Sequence, residues 1–307
     1  FVQVTKKGLT TIDVAKKISE VAGYKLSAIG YSGMKDKNGE CTQWFSFPFS
    51  NDVGRILNSI DSSNLRIVTS HRNKSKLKIG SHKRNDFDIT IRNCVGNRDS
   101  FENRLKATQK HGVPNYFGMQ RFGHKFQNIT AVYDLMATEI ETKLSSNKKE
   151  RRKISKIERG ILISSARAYL FNQVLSSRLQ LKNWSNYLSG DVLNLNGTES
   201  YFVLGQNDRE ELVQKRIDTF DIHISGPLAG LVGSKDKYVT RSKAADIEVR
   251  SFQNHETLFK GLNKLKVTAS RRPLRFKPEN LQWFWKDEGT LNISFSLRKG
   301  CYATSFL

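Results

Sequence analysis

Three stretches of this chain hold residue types that could do chemistry. In the first, Tyr31-Ser32-Gly33-Met34-Lys35-Asp36-Lys37-Asn38-Gly39-Glu40-Cys41, a carboxylate at Asp36 lies between two lysines in a segment rich in Gly, Asn and Ser. Gly supplies positive φ and Asn or Asp binds local backbone, so the segment is a loop. Ala28-Ile29-Gly30 precedes it and the aromatic run Trp44-Phe45-Ser46-Phe47 follows, so the loop is expected to join two strands and to hold the carboxylate at their ends. Scaffolds place chemistry at such positions, although the same triplet also describes a solvated charge cluster. The second stretch, Arg72 to Arg84, carries six Lys or Arg and no acid. Either it is a solvated face or it contacts phosphate. The third, Gly112-Val113-Pro114-Asn115-Tyr116-Phe117-Gly118-Met119-Gln120-Arg121-Phe122-Gly123, is too rich in Gly, Pro and aromatic residues for a helix interior. It is either a turn-rich junction or a surface where rings and Arg121 meet bases and phosphates.

The elements that must position these residues are partly visible in the periodicity. Val14, Ala15, Ile18, Val21 and Ala22 have helical spacing, with Thr10 or Thr11 as cap and Gly23 past the end. A second helix is expected from Ser50 or Asn51, burying Val53, Ile56, Leu57 and Ile60, and a third from Asp99 or Ser100 to Gly112. Leu77 and Ile79 alternate with lysines, and Phe87, Ile89 and Ile91 alternate with polar residues, which predicts two strands around a basic turn. Residues 161–174 form an apolar helix, expected to be buried, and Leu291, Ile293, Phe295 and Leu297 mark a half-buried strand.

Composition narrows the partner. The 307 residues carry 51 Lys and Arg against 29 acids, a formal net charge of +22, which points to a polyanion. The alternative is an organism-wide preference for lysine. A second basic block, Lys148, Lys149, Arg151, Arg152, Lys153, Lys156 and Arg159, divides likewise between a solubilising loop and RNA contact. Cys41, Cys94 and Cys301 are scattered and odd in number, which fits a reducing cytoplasm, and no Cys or His pair has zinc-ligand spacing. No apolar run is long enough to span a membrane, and no Gly-rich phosphate loop supports a nucleotide-dependent enzyme. The chain starts at Phe1 without an initiator Met, and both ends are expected to be trimmed.

The wording of the first loop, Gly33-x-Lys35-Asp36-Lys37 followed by Gln43-Trp44-Phe45-Ser46, closely resembles the TruD family of tRNA pseudouridine synthases. Lys76-Leu77-Lys78-Ile79-Gly80 with Asn85-x-Phe87 resembles that family's second active-site segment, and Asn115-Tyr116-Phe117-Gly118-x-Gln120-Arg121-Phe122-Gly123 its most specific signature. Arg167-Ala168-Tyr169-Leu170-Phe171-Asn172-Gln173, Gly190-Asp191-Val192, Ser225-Gly226-Pro227-Leu228 and Gly300-Cys301-Tyr302-Ala303-Thr304 extend the likeness along the chain. Gly39-Glu40-Cys41 departs from the family's Ala-x-Thr.

The resemblance implies an α+β protein: a mixed-sheet catalytic domain from residues 1–110 and 268–307, interrupted by an α+β insertion domain over 111–267, with tRNA in the cleft between them. It also implies isomerisation of uridine-13, with Asp36 as nucleophile and Lys35, Asn85 and Phe87 around the uridine. Lys76, Lys78, Lys83, Arg84 and Arg121 are the expected RNA contacts. The enzyme is expected to be a monomer that needs no cofactor and no metal. The family's amino-terminal segment is expected to be missing here. The rival is a non-catalytic tRNA-binding or RNA-folding protein using the same basic surfaces.

Overall fold

The computed structural model describes residues 1–141, 154–205, 209–233 and 239–307. These form two compact units, Phe1–Asn85 and Asp86–Leu307. Helices and sheets occur in both, in the α+β class expected.

In the first unit β1 (Val2–Lys7) leads into α1 (Thr11–Ala22), then β2 (Gly30–Tyr31), β3 (Glu40–Ser46), α2 (Val53–Ile60) and β4 (Leu65–Ser70). The sheet runs β2-β3-β1-β4 with each neighbouring pair antiparallel. Helix α1 starts where the sequence places it, because the Thr10 hydroxyl accepts from the Asp13 amide and the Asp13 carboxylate accepts from the Thr10 amide, a reciprocal cap. It stops at Gly23, whose φ of 70° suits a residue without Cβ. Val14, Ala15 and Ile18 then pack with Val2, Val4, Phe45, Ile56 and Ile60 into one core.

One expected strand is absent. Residues 71–83, including Leu77 and Ile79, form no strand, and Ile79 is 76% exposed. Two alternating apolar residues do not make a ladder when the backbone finds other partners. Here the Leu77 amide donates to Ser46 Oγ and the Gly80 amide to the Ser32 carbonyl, so the segment is tied down as a loop.

In the second unit β5 (Arg84–Ile91), whose first two residues belong to the first unit, is followed by α3 (Arg98–His111), β6 (Val113–Pro114), α4 (Gln127–Glu141) and α5 (Lys156–Gln180). Next come β7 (Val192–Leu195), β8 (Tyr201–Val203), α6 (Glu210–Asp218), β9 (Ile222–Leu228), α7 (Ser242–Phe252) and α8 (Glu256–Lys264). The chain closes with β10 (Ser270–Pro273), β11 (Arg275–Phe276), β12 (Glu279–Trp285) and β13 (Leu291–Arg298). The sheets are β12-β13-β5, β10-β9-β7-β8 and the pair β11-β6.

Residues from both ends of this unit share a core: Leu105 and Val113 pack with Phe276, Leu281, Leu291, Ile293, Phe295 and Leu297. The middle of the chain builds two others. One lies among α4, α5 and α8, around Val132, Met136, Leu170, Leu258 and Leu262, and one around Phe171, Leu193, Ile217 and Ile222. At the turn into β7 the buried Arg178 and Asp191 form a bidentate ion pair, with nitrogen–oxygen distances of 3.1 and 2.9 Å. Gly190 beside it has φ 87° and lies against the Arg241 carbonyl, so no side chain fits there.

Candidate active site

The loop bearing Asp36 connects β2 to β3, as the sequence suggests. Its tip is open to solvent: Asp36, Lys37, Asn38 and Gly39 are all exposed. Its base is held by three side chains from the interior of the first unit.

Lys6 in β1 is 1% exposed, and its ammonium donates to the main-chain carbonyls of Leu9 at 2.7 Å and Asp36 at 2.6 Å. Thr11, wholly buried at the start of α1, accepts from the Lys35 amide at 2.8 Å and donates its own proton to Gln43 Oε1 at 2.9 Å. Gln43 in β3 then donates through Nε2 to the Gly33 carbonyl at 3.3 Å. From the other side, the Ser32 carbonyl accepts from the Gly80 amide at 2.6 Å and lies 2.9 Å from His82 Nδ1. Gly33 is closely packed here, since a Cβ at that position would lie 3.0 Å from the His82 ring and the ring would have to shift.

Lys35 is half-buried, and its ammonium donates to Asn85 Oδ1 at 2.5 Å. Two of the expected site residues are therefore joined directly, and Asn85 is left with its amide N–H groups as the polar end it can offer a ligand. Phe87, two residues on, is half-buried and stacks on Phe295 with centroids 5.1 Å apart and planes 18° apart. Phe295 in turn meets Phe306 edge-on.

Lys76, Lys78, Lys83 and Arg84 are all exposed. Lys76 also donates to the Ser27 carbonyl, which gives the 71–83 loop another anchor. Of the second basic block, Lys148, Lys149, Arg151, Arg152 and Lys153 lie outside the described residues.

Arg121 has another environment. Its Nε and one terminal nitrogen donate to the Tyr302 hydroxyl at 3.2 and 3.0 Å, and the other terminal nitrogen donates to Ser164 at 3.0 Å. The neighbouring Asn115 is buried between the Pro273 carbonyl and the Arg272 guanidinium, and Phe117 exchanges main-chain hydrogen bonds with the Asn172 amide. Arg272 stacks over Phe117 at 4.1 Å, and burial lowers its pKa to about 10, so it stays charged at neutral pH. Burial likewise pushes the Cys301 thiol up to about 11. The aromatic, amide-rich segment ties α5 to the end of the chain, and Arg121 within it is half-buried.

Lys6, Thr11, Gln43 and Arg272 are the contributors that sequence reasoning missed. For Lys6 a signal existed: it shares strand parity with the fully buried Val2 and Val4, which puts a lysine on the inward face. Among the described residues no group of three or more His, Cys, Asp or Glu could hold a metal ion, and no helix is long and apolar enough to cross a membrane.

Comparison with known proteins gives this geometry a context. The family model for tRNA pseudouridine synthase D (TruD) matches residues 1–142 and 135–307. The tRNA pseudouridine synthase D of Xanthomonas oryzae pv. oryzae is 33% identical over 308 residues, which cover 99% of this chain and 82% of the relative. That of Proteus mirabilis is 34% identical over 305 residues, with the same coverage of both chains. A crystal structure from Methanosarcina mazei that carries the TruD name has the same fold, with a TM-score of 0.75 at 17% identity over 99% of this chain and 86% of that one.

Proposed function

This chain belongs to the TruD family of tRNA pseudouridine synthases, isomerases that act on tRNA, and from that premise we propose that it converts uridine-13 to pseudouridine with Asp36 as the nucleophile. The observation that carries the mechanism is the contrast within one loop: an exposed carboxylate on a backbone that buried side chains hold from beneath. A nucleophile needs access for the substrate together with a fixed origin.

In the proposed reaction a base inside folded tRNA is first extruded, at a cost of roughly a few kcal/mol that stacking on Phe87 helps to offset. Asp36 attacks the ribose or the uracil, the bond from N1 to the sugar breaks, and the uracil turns and rejoins the sugar through C5, while the bond to Asp36 breaks and the carboxylate is released. The C5 proton is lost and N1 gains one, so composition is unchanged and no cofactor is consumed. Lys35 supplies positive charge beside the attacking carboxylate. Asn85, its oxygen occupied by that ammonium, directs its N–H groups at a uracil carbonyl. Lys76, Lys78, Lys83 and Arg84 meet the backbone phosphates. The choice of uridine-13, and the division into a catalytic part (1–110 and 268–307) and an insertion (111–267), rest on the likeness of the quoted motifs to the family's.

Asp36→Asn tests the reading. Asparagine is nearly isosteric and the site is exposed, so the fold should persist, and tRNA should bind equally well or more tightly because a charge that repels phosphate is gone. Pseudouridine, mapped on unmodified tRNA, should fall below detection. Normal isomerisation by this variant would refute Asp36 as the nucleophile.

A further inference from the structure

We propose that Lys6, Thr11 and Gln43 act together as a buried clamp that fixes the Asp36 main chain for attack, and are positioning residues of the reaction. The proposal rests on the assignment of Asp36 as the nucleophile.

The case begins with the cost of Lys6. An ammonium taken out of water without compensation is expensive, and its natural replacement at an inward strand position would be an apolar side chain of similar length. Val2 and Val4 occupy the equivalent positions on the same strand. The partners shown for the ammonium are two carbonyls, of Leu9 and of Asp36 itself, so its hydrogen bonds are spent on the path of the chain.

Thr11 and Gln43 continue the pattern. The one proton of the Thr11 hydroxyl goes to Gln43, which turns a lone pair toward the Lys35 amide. With Oε1 so engaged, the Gln43 amide group is turned to the Gly33 carbonyl. The three side chains come from β1, α1 and β3, and they hold the backbone at residues 33, 35 and 36. Between these points Met34 is 62% exposed.

Stability does not explain this arrangement. The loop they hold buries almost nothing at its tip, so ordering it adds little to the core, while one buried charge and two buried polar groups must be kept satisfied. What the clamp does achieve is to remove freedom from the residue that would attack. Misplacement of a reacting group by about 1 Å can cost on the order of 100-fold in rate.

The test uses the intact natural protein and single-turnover kinetics on unmodified tRNA, with tRNA affinity and thermal midpoint measured in parallel. Thr11→Val keeps the shape and removes the hydroxyl; Thr11→Ser returns it. The expected result is that Thr11→Val and Lys6→Met bind tRNA normally but turn over about 10- to 100-fold more slowly, and that Thr11→Ser recovers most of the rate. Folded Thr11→Val turning over at the wild-type rate would overturn the clamp, and this arm decides even where Lys6→Met does not fold. Asp36→Asn, run alongside, separates the two failures. If it is inactive while Thr11→Val is normal, the clamp is wrong and the nucleophile stands; if it is active, both fall.

Discussion

A single ring distinguishes support of the fold from support of the substrate. Phe87 stacks on Phe295 and is still half-buried, so it has both a packing partner and surface to offer a base. Truncation to alanine would mix the two roles, because loss of a packed ring costs about 3–5 kcal/mol of stability on its own. Leucine keeps most of the apolar volume and removes the flat face. Phe87→Leu should therefore fold and bind tRNA nearly as the natural protein does, while turnover drops by roughly one to two orders of magnitude, the scale of about 1–3 kcal/mol for base–aromatic stacking. Unaltered turnover in the folded variant would assign the ring to the core alone.

Strand β9 carries a titration of its own. His223 is 5% exposed and its Nε2 lies 3.0 Å from Asn196 Oδ1, an oxygen that also accepts from Arg298. Nε2 must then be the donor, which leaves Nδ1 bare and without a partner. Burial first, and then Arg275 and Arg298, lower its pKa from 6.5 to about 4. Between those values the unfolded chain binds the proton that the folded one refuses, so stability is present above about pH 6.5 and is lost as pH falls through about 4. The effect should be on the order of 2–3 kcal/mol in urea unfolding, and His223→Gln, which keeps a donor but cannot titrate, should flatten that part of the curve. The elements themselves were legible to different degrees. Helix α1 is legible with its cap and stop, and β13 as a strand, although its polar positions Asn292 and Ser296 are buried as well, so it is not the half-buried strand that its alternation predicts. Leu77 and Ile79 misled because two alternating residues carry little information beside a serine hydroxyl waiting in β3. Lys6, Arg271 and Arg272 escaped notice because a basic residue is expected in water, and only the packed chain shows which carbonyls and rings surround it.

Across the molecule the dominant quantity is charge, +22 in 307 residues. Binding through Lys76, Lys78, Lys83, Arg84 and their neighbours should release counterions, so with roughly six phosphate contacts tRNA affinity should fall about 1,000-fold between 50 and 200 mM salt. A flat response in a titration series would count against these residues as the RNA surface. The order in which the chain is made raises a different matter. Among the described residues the sheet neighbour of β5 is β13, and Asp86 and Asp88 of β5 accept hydrogen bonds from Ser296 and Asn292, 210 and 204 residues later. At about 5–20 residues per second, a ribosome needs about 10–40 seconds to supply that partner. Throughout that interval Phe87, Ile89 and Ile91 stand on an unpaired strand, the kind of nascent segment that aggregates. The carboxylates of Asp86 and Asp88 interrupt it, so the same two side chains first guard the waiting strand against other chains and later fasten it to its own.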